Sequence, residues 1–574
     1  MTAGPPAPRR PRLLSGLDVV LRDPSPLLGR RVGLLANPAS VTAGFVPAWT
    51  ALRAAGVDVR VLFGPEHGLL GDRQDMEAVA GERREGSPRV VSLYGSTFAE
   101  LSPGTEELAG LDAVVCDLPD VGSRYYTFVW TTALVQAAAA KAGVEVVVLD
   151  RPNPLGGHAV EGNLPEERLL SFVGLHPVPV RHGMTPGEVA RLVCERVGGA
   201  LTVVPMELKG KPGRPAPRER IGETPAWVLP SPNMPSRSTA LVYPGGCLVE
   251  GTNLSEGRGT TRPFELVGAP WIDPDEAAAA AASLGLPGVA FRPHVFSPTF
   301  HKHAGERCGG VQLHVTDETA FRPYETGLAL VKALRDLSPA RFAWRTGTYE
   351  YRDDVPAIDL LAGTATYRSL VDAGEPLSSW ISTFPGDVAR FAVARERALR
   401  YRRSGPPVVQ VVGAHEAGKT TLAVRIVAAL VAEGLRVAAV KQTSHFHPTD
   451  MAGKDSERLA EAGADPVFLV AAGRAARHTR PGSRPSLAAL LDDPATAGSD
   501  VVVVEGYRSE RFPKIEVYRP ETGRGAIAAD DPTVFAVVGP EGSPHPPSVP
   551  RYASSELTAL LRAVKAAVGL LEER

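Results

Sequence analysis

From residue 31 onward, short runs of consecutive apolar residues alternate with longer stretches whose apolar positions recur every three to four residues. RRVGLLAN gives way to the helix-like FVPAWTALRAAG, and VDVRVLFGPEHG follows. LDAVVCDLPD precedes the long YTFVWTTALVQAAAAKAG, and VEVVVLDRPNP comes next. Apolar runs without polar alternation suit strands buried on both faces. Such strands separated by helices predict a parallel sheet covered on both sides, a Rossmann-like α/β layout.

The rhythm loosens after Gly157, where prolines and glycines crowd Lys209–Arg220, Leu229–Pro235 and Tyr243–Gly259. VQLHVTD and YETGLALVKALRDL then predict a strand and an amphipathic helix of an α+β subdomain. The expected organisation is a Rossmann-like part over 1–163 and an α+β subdomain over 164–403. The charged helix RFAVARERALRYRR runs into Ser404-Gly405-Pro406-Pro407, a linker composition. VVQVVGAHEAGKTTLAVRIVAALVAEGLRVAAVK then restarts a strand–loop–helix–strand unit, which predicts a P-loop NTPase α/β domain over 407–574. A chain of 574 residues is too long for one hydrophobic core.

Composition narrows the partners. Hydrophobic residues make up 44%, charged residues 22%, and the formal net charge is -2. That is ordinary for a globular protein and favours neither nucleic acid nor an anionic membrane surface. The opening MTAGPPAPRRPRLLSGLDVVL has no apolar run of a secretory signal, and no apolar stretch is long enough to span a bilayer. The expected location is the cytoplasm, without membrane contact. Cys116, Cys194, Cys247 and Cys308 are widely spaced and predict neither a disulfide framework nor a cysteine zinc site. His301, His303 and Cys308 read as loop residues and a buried thiol rather than metal ligands.

The clearest chemical signal is Gly413-Ala-His-Glu-Ala-Gly418-Lys419-Thr420, which fits G-x-x-x-x-G-K-[ST] between an apolar run and an amphipathic helix. Backbone N–H groups at a helix N-terminus point at phosphate oxygens, and the helix dipole favours the anion. Gly413, Ala417, Gly418, Lys419, Thr420 and Thr421 are the expected nucleotide-binding residues, with Lys419 reaching the β- and γ-phosphates. Glu505 closes the apolar run DVVVVE, where a Walker-B acid belongs, and Thr420 and Glu505 are the expected Mg²⁺ ligands.

GAHEAGKTTL, VKQTSHFHPTDMAGKDSERLAEAGA and VVVVEGYRSERFPKIEV together resemble the molybdopterin-guanine dinucleotide biosynthesis adaptor family, MobB, over about Val408 to Ala536. The resemblance implies binding of GTP with Mg²⁺, weak GTPase activity, and help in attaching GMP to molybdopterin. It also adds Asp455 to the nucleotide site, implies the molybdenum cofactor guanylyltransferase as partner, and suggests a homodimer through this domain. His415-Glu416-Ala417 stand where such loops usually carry small residues, and no guanine-reading N-K-x-D occurs in the segment. The choice of GTP over ATP therefore comes from the resemblance.

In the N-terminal unit, polar residues sit at the carboxyl ends of four successive predicted strands. They are Asn37; Glu66 and His67; Asp117 and Asp120; and Asp150, Arg151 and Asn153. In an open parallel sheet these ends share the edge where ligands bind. Glu66, His67 and Asp120 are the candidate catalytic groups, because carboxylates there can act as general acid and base in hydrolysis. Gly64, Pro65 and Gly68 would fix the loop that holds Glu66. Arg124, Tyr125 and Tyr126 suit a sugar that carries a carboxylate. Asn37, Arg124, Tyr125, Asp150, Arg151 and Asn153 are read as substrate-binding.

LLANPASV, FGPEHGLLGD, DLPDVGSRYYTF, LDRPNPLGG, VEGN, PVRHGMT, PSPNMPS, YPGGCLVEGTNLSEGRGTTRPFE and PAIDLLAGT together resemble the exo-β-N-acetylmuramidase (NamZ-like) family over roughly Ser15 to Arg395. The resemblance implies hydrolysis of a terminal β-linked N-acetylmuramic acid from cell-wall muropeptide or MurNAc-GlcNAc fragments. It places the catalytic glutamate at Glu66 and requires no cofactor for the hydrolase. Glu250, Asn253, Glu256 and Arg258 would complete the cleft from the second subdomain. Two other readings are a muropeptide-binding module governed by a nucleotide switch, and a P-loop sugar kinase.

Overall fold

The computed structural model describes residues 12–69, 88–224, 226–401, 405–442, 467–471, 474–478, 487–491, 496, 499–508, 510, 512–529, 531, 533–547, 549–568 and 570. The chain divides into two compact units, Met1–Arg402 and Arg403–Arg574.

The first unit is built on a six-stranded parallel sheet. Its strands lie in the order Arg89–Ser92, Asp58–Gly64, Arg31–Ala36, Ala113–Asp117, Glu145–Leu149 and Leu201–Val204. Four of these are the apolar runs read from the sequence. The two edge strands have only four residues each and too little apolar pattern to announce them. The last lies beyond residue 163, so the sheet runs further along the chain than the α/β rhythm suggested.

The two-residue period of a strand divides the apolar side chains between two faces. Val32, Leu34, Leu62, Val115, Val147 and Leu149 join Leu17, Val20, Ala48 and Leu52 from the helices Gly16–Arg22 and Ala48–Ala54. Leu35, Phe63, Val114, Cys116, Val146 and Val148 face the other way, against Phe128, Val135 and Ala139 of the helix Phe128–Ala142.

The rest of this unit is α+β. An antiparallel sheet of Val289–Phe296, Cys308–Val315 and Leu266–Ala269 accompanies the helices Arg237–Gly246, Pro274–Ser283 and Pro323–Leu337. Leu241, Val311 and Leu328 belong to the same apolar cluster as Val114 and Phe128. The parallel sheet and the α+β part therefore share one core.

The second unit has a six-stranded parallel sheet ordered Val437–Lys441, Val501–Glu505, Val408–Gly413, Lys514–Val517, Val534–Val538 and Arg551–Tyr552. Leu422, Ile426 and Leu430 of the helix Lys419–Ala432 pack on Val409, Val411 and Val503. Among the described residues, no helix is long and apolar enough to cross a membrane, and the four cysteines are unpaired.

Candidate functional site

The strand Asp58–Gly64 ends in Gly64-Pro65-Glu66-His67-Gly68, where His67 and Gly68 take φ of 67° and 78°. This left-handed turn carries Glu66 off the sheet edge and into a cavity. Glu66 is 6% exposed, and the Thr127 hydroxyl, just before the helix Phe128–Ala142, donates to its Oε2 at 2.5 Å. The cavity is lined by Glu66, His67, Tyr125, Tyr126, Thr127, Ser231, Asn233, Tyr243, Glu250, Arg258, Tyr349 and Glu350, with Phe128, Val173, Met234 and Phe264.

One ion pair lies among the lining residues. Arg258 donates to Glu250 Oε1 at 2.6 Å, and the Tyr349 hydroxyl donates to Glu250 Oε2 at 2.9 Å. Arg258 also lies over the Phe264 ring, 5.2 Å from its centroid. Burial pushes the phenols of Tyr126, Tyr243 and Tyr349 well above their ordinary range. Burial likewise raises Tyr94, reinforced by the charges of Glu66 and Glu350. These phenols stay protonated, so the walls offer hydrogen-bond donors to a polar ligand.

Of the predicted residues, Glu66, His67, Tyr125, Glu250 and Arg258 come together in this cavity. Seven of the others do not line this cavity and make hydrogen bonds or ion pairs within the scaffold. Arg124 is fully buried and donates to the carbonyls of Asn163, Val178 and Leu361. A guanidinium has five donors, enough to tie three segments together. Asn37 accepts from Ala39 N–H and donates to the Pro230 carbonyl. Arg151 makes a two-pronged ion pair with Asp117 at 2.6 and 2.7 Å. Asp150 accepts from Thr185, Gly187 N–H and Tyr401, and burial pushes its carboxyl up to about 6. Asn153 donates to the Met184 carbonyl and accepts from Leu155 N–H. Asn253 bridges the Arg341 carbonyl and Ala343 N–H. Glu256 faces Lys302 at 2.9 Å, His301 at 3.1 Å and Arg258 at 3.5 Å. Burial alone would raise its carboxyl, but Lys302 and its companions outweigh that and hold it below the usual range.

Asp120, a predicted catalytic group, does not line the cavity. It accepts from Gly122 N–H at 2.8 Å, lies 3.4 Å from His182, and its charge reaches the cavity phenol of Tyr126. His303 contacts the Asn253 carbonyl, as a loop residue does. The sequence reading missed Ser231, Asn233, Tyr243, Tyr349 and Glu350 as lining. Ser231 and Asn233 lie within the PSPNMPS stretch, whereas no motif marks Tyr349 or Glu350.

The second site follows the strand Val408–Gly413. A side chain at Gly413 would bring a Cβ within 2.4 Å of the Val517 carbonyl oxygen, and Gly418 takes φ of 95°. Only glycine fits both positions. The helix Lys419–Ala432 starts directly after, so its free N–H groups face the loop. Ala417 is buried and Thr421 exposed. The Lys419 ammonium donates to the Ala414 carbonyl at 2.5 Å. Thr420 donates to Glu505 at 2.8 and 2.9 Å, and Lys441 lies 3.0 Å from the Thr420 hydroxyl and 3.4 Å from Glu505. Glu505 gains its place because its strand pairs with the loop's own strand, Val411 opposite Glu505. A hydroxyl and a carboxylate are hard oxygen donors of the kind Mg²⁺ takes, and Lys441 shows that the pair attracts a cation. A cavity beside the loop is lined by Gly413, His415, Arg508, Arg519 and Arg524 among others, a cationic wall the sequence reading did not anticipate. Asp455 lies outside the described residues.

Both units match known proteins. Residues 32–238 match the family described as exo-beta-N-acetylmuramidase NamZ, N-terminal, and residues 241–401 its C-terminal counterpart. Residues 408–540 match molybdopterin guanine dinucleotide synthesis protein B, MobB. The peptidoglycan beta-N-acetylmuramidase NamZ of Bacillus subtilis is 40% identical over 400 residues, 68% of this chain and 92% of that protein. The molybdopterin-guanine dinucleotide biosynthesis adapter protein of Haemophilus influenzae is 36% identical over 115 residues, 20% of this chain. The chain spans 65% of that adapter's length. A DUF1343 family protein of Bacteroides fragilis, known from a crystal structure, is 30% identical with a TM-score of 0.59, covering 68% of this chain and 100% of its own. The chain thus belongs to the exo-β-N-acetylmuramidase NamZ family, with a MobB-like domain fused after it.

Proposed function

We propose that the first unit is an exo-acting glycoside hydrolase that removes β-linked N-acetylmuramic acid from peptidoglycan fragments, with Glu66 as the acid–base group. The observation that supports this is the buried Glu66 carboxyl, held by Thr127 in a cavity of phenols, carboxylates and one arginine. Cleaving a glycosidic bond needs a proton for the leaving oxygen and a base for water. A carboxyl supplies either. The Glu250–Arg258 pair keeps a fixed charge near the sugar, and the buried phenols orient its hydroxyls. MurNAc-GlcNAc or muropeptide fragments are the fitting substrates, and the cytoplasm the fitting location.

The second unit is proposed to bind GTP, with the Gly413–Thr420 backbone and Lys419 on the phosphates and Thr420 and Glu505 holding Mg²⁺. That ion would neutralise phosphate charge when bound. Weak GTPase activity, service to the molybdenum cofactor guanylyltransferase and pairing of two copies through this unit belong to the same reading. The deciding experiment supplies the full chain with a β-linked MurNAc-GlcNAc disaccharide and measures free N-acetylmuramic acid. Release supports the hydrolase. Binding without release replaces it with a non-catalytic module. Titration with GTP and ATP decides the nucleotide.

A further inference from the structure

We propose that Glu350 is a second catalytic carboxylate of the Glu66 cavity, presented to the sugar by a strained two-residue turn. The inference rests on the muramidase reading above.

Tyr349 and Arg352 exchange backbone hydrogen bonds at 2.8 and 3.0 Å, closing a hairpin with only Glu350 and Tyr351 between them. Both central residues take positive φ, 46° and 65°. That is the turn normally filled by Asn-Gly or Gly-Gly. A residue with a Cβ is strained in this region, because the Cβ crowds the neighbouring carbonyl oxygen. Stability alone would select against Glu-Tyr at these two places, and such strain collects where a side chain must be aimed. His67 and Phe264, also left-handed, line the same cavity.

Two residues of the turn line the site, and a third braces it. The Tyr349 hydroxyl holds Glu250. Glu350 lines the cavity and is 7% exposed. Tyr351 donates to the Gly95 carbonyl at 3.0 Å and meets the Tyr94 ring edge-on at 5.9 Å. Glu66 and Glu350 line the same cavity, and Tyr94 feels the charges of both.

Hydrolysis then divides between two carboxyls. The bond from the anomeric carbon to the leaving oxygen breaks, its electron pair stays with that oxygen, and one carboxyl donates a proton there. Water's oxygen bonds to the anomeric carbon and gives its proton to the other carboxylate. Exchange with solvent restores both.

The test uses the full chain and a β-linked MurNAc-GlcNAc disaccharide, with Glu350→Asn, Glu350→Gln and Glu66→Gln compared with wild type. Asn tolerates the left-handed region, so E350N should melt at or above the wild-type temperature while kcat falls about 10²–10³-fold at a KM within a few-fold. E350Q and E66Q should lose opposite limbs of the pH–rate profile. Activity of E350N and E350Q within five-fold of wild type overturns the proposal. So does an E350N that loses stability and activity together, which makes the turn merely structural. A wild-type chain that releases no muramic acid overturns the muramidase reading, and this role falls with it.

Discussion

In the cavity at Glu66, the chemistry resides in side chains drawn from positions 66, 127, 250, 258 and 349–350, nearly all of them buried. At Gly413–Thr420 it resides in consecutive backbone N–H groups, and the side chains of His415 and Glu416 stand in solvent. The first site depends on the identity of each side chain, because a buried polar group must keep its partner. The loop before Lys419 depends on backbone shape and tolerates substitution wherever the chain can still turn. This accounts for His-Glu in a loop proposed to hold phosphate, where small residues are usual.

Four measurements sharpen or break that contrast. The largest effect is expected for Glu66→Gln, which should reduce muramic acid release by about 10²–10⁴-fold. The amide can still accept from Thr127, so the fold and disaccharide binding by calorimetry should survive. Turnover within a few-fold of wild type would remove Glu66 from the chemistry.

Lys419→Ala comes next. It deletes a charge-assisted contact to the phosphates worth on the order of 2–3 kcal/mol, about 30–150-fold in Kd for GTP. Unchanged affinity by isothermal titration would show that this loop does not hold phosphate.

A comparable effect concerns the cost of a buried carboxylate. Glu161 caps the N-terminus of the helix Pro323–Leu337, accepting from Tyr324 and Glu325 N–H at 2.9 and 3.1 Å. Burial pushes its carboxyl from 4.5 up to about 7. The folded chain therefore keeps a proton that the unfolded chain releases across that window. This contribution to stability is complete below pH about 4.5 and is lost as pH rises through 7. Glu161→Gln keeps the cap and removes the titration. Relative to wild type it should gain on the order of 2–3 kcal/mol between pH 4.5 and 8 in urea unfolding of the first unit. A parallel pair of stability curves would contradict this. Asp531 of the second unit shows the opposite sign. Burial alone would raise its carboxyl, but Lys514 and Thr533 overcome that and hold it below its ordinary value. Its contribution is thus lost as pH falls.

The smallest effect belongs to the backbone-built site. Glu416 sits in the loop with φ of 61°. Glu416→Gly removes both the strained φ and a negative charge beside the phosphates, so GTP should bind about 3–10-fold more tightly. Weaker binding would mean that the Glu416 side chain helps hold the nucleotide.

The sequence by itself determined the α/β class, the four longest strands of the first sheet and the whole nucleotide loop. These are local features: continuous apolar runs, a helical period, and glycines where the backbone must turn left-handed or pass close to a neighbour. The placement of Glu66 was legible for the same reason, since it lies two residues past the strand Asp58–Gly64, at the carboxyl edge of the sheet. Only the tertiary structure sorted the other polar residues at that edge. Arg124, Asp150, Arg151 and Asn153 look equally suited in one dimension, yet each has hydrogen bonds taken by groups distant in sequence: backbone carbonyls for Arg124 and Asn153, the Asp117 carboxylate for Arg151, and the Tyr401 hydroxyl for Asp150. Glu350 shows the reverse case. Nothing in TYEYRDD announces a hairpin or a site, because the turn lacks Gly or Asn. Its position was decided by the shared core of the parallel sheet and the α+β part, which brings residues about 280 positions apart to one cavity. A pattern along the chain records what each residue prefers locally, and the pairing of distant residues is settled only when the core closes.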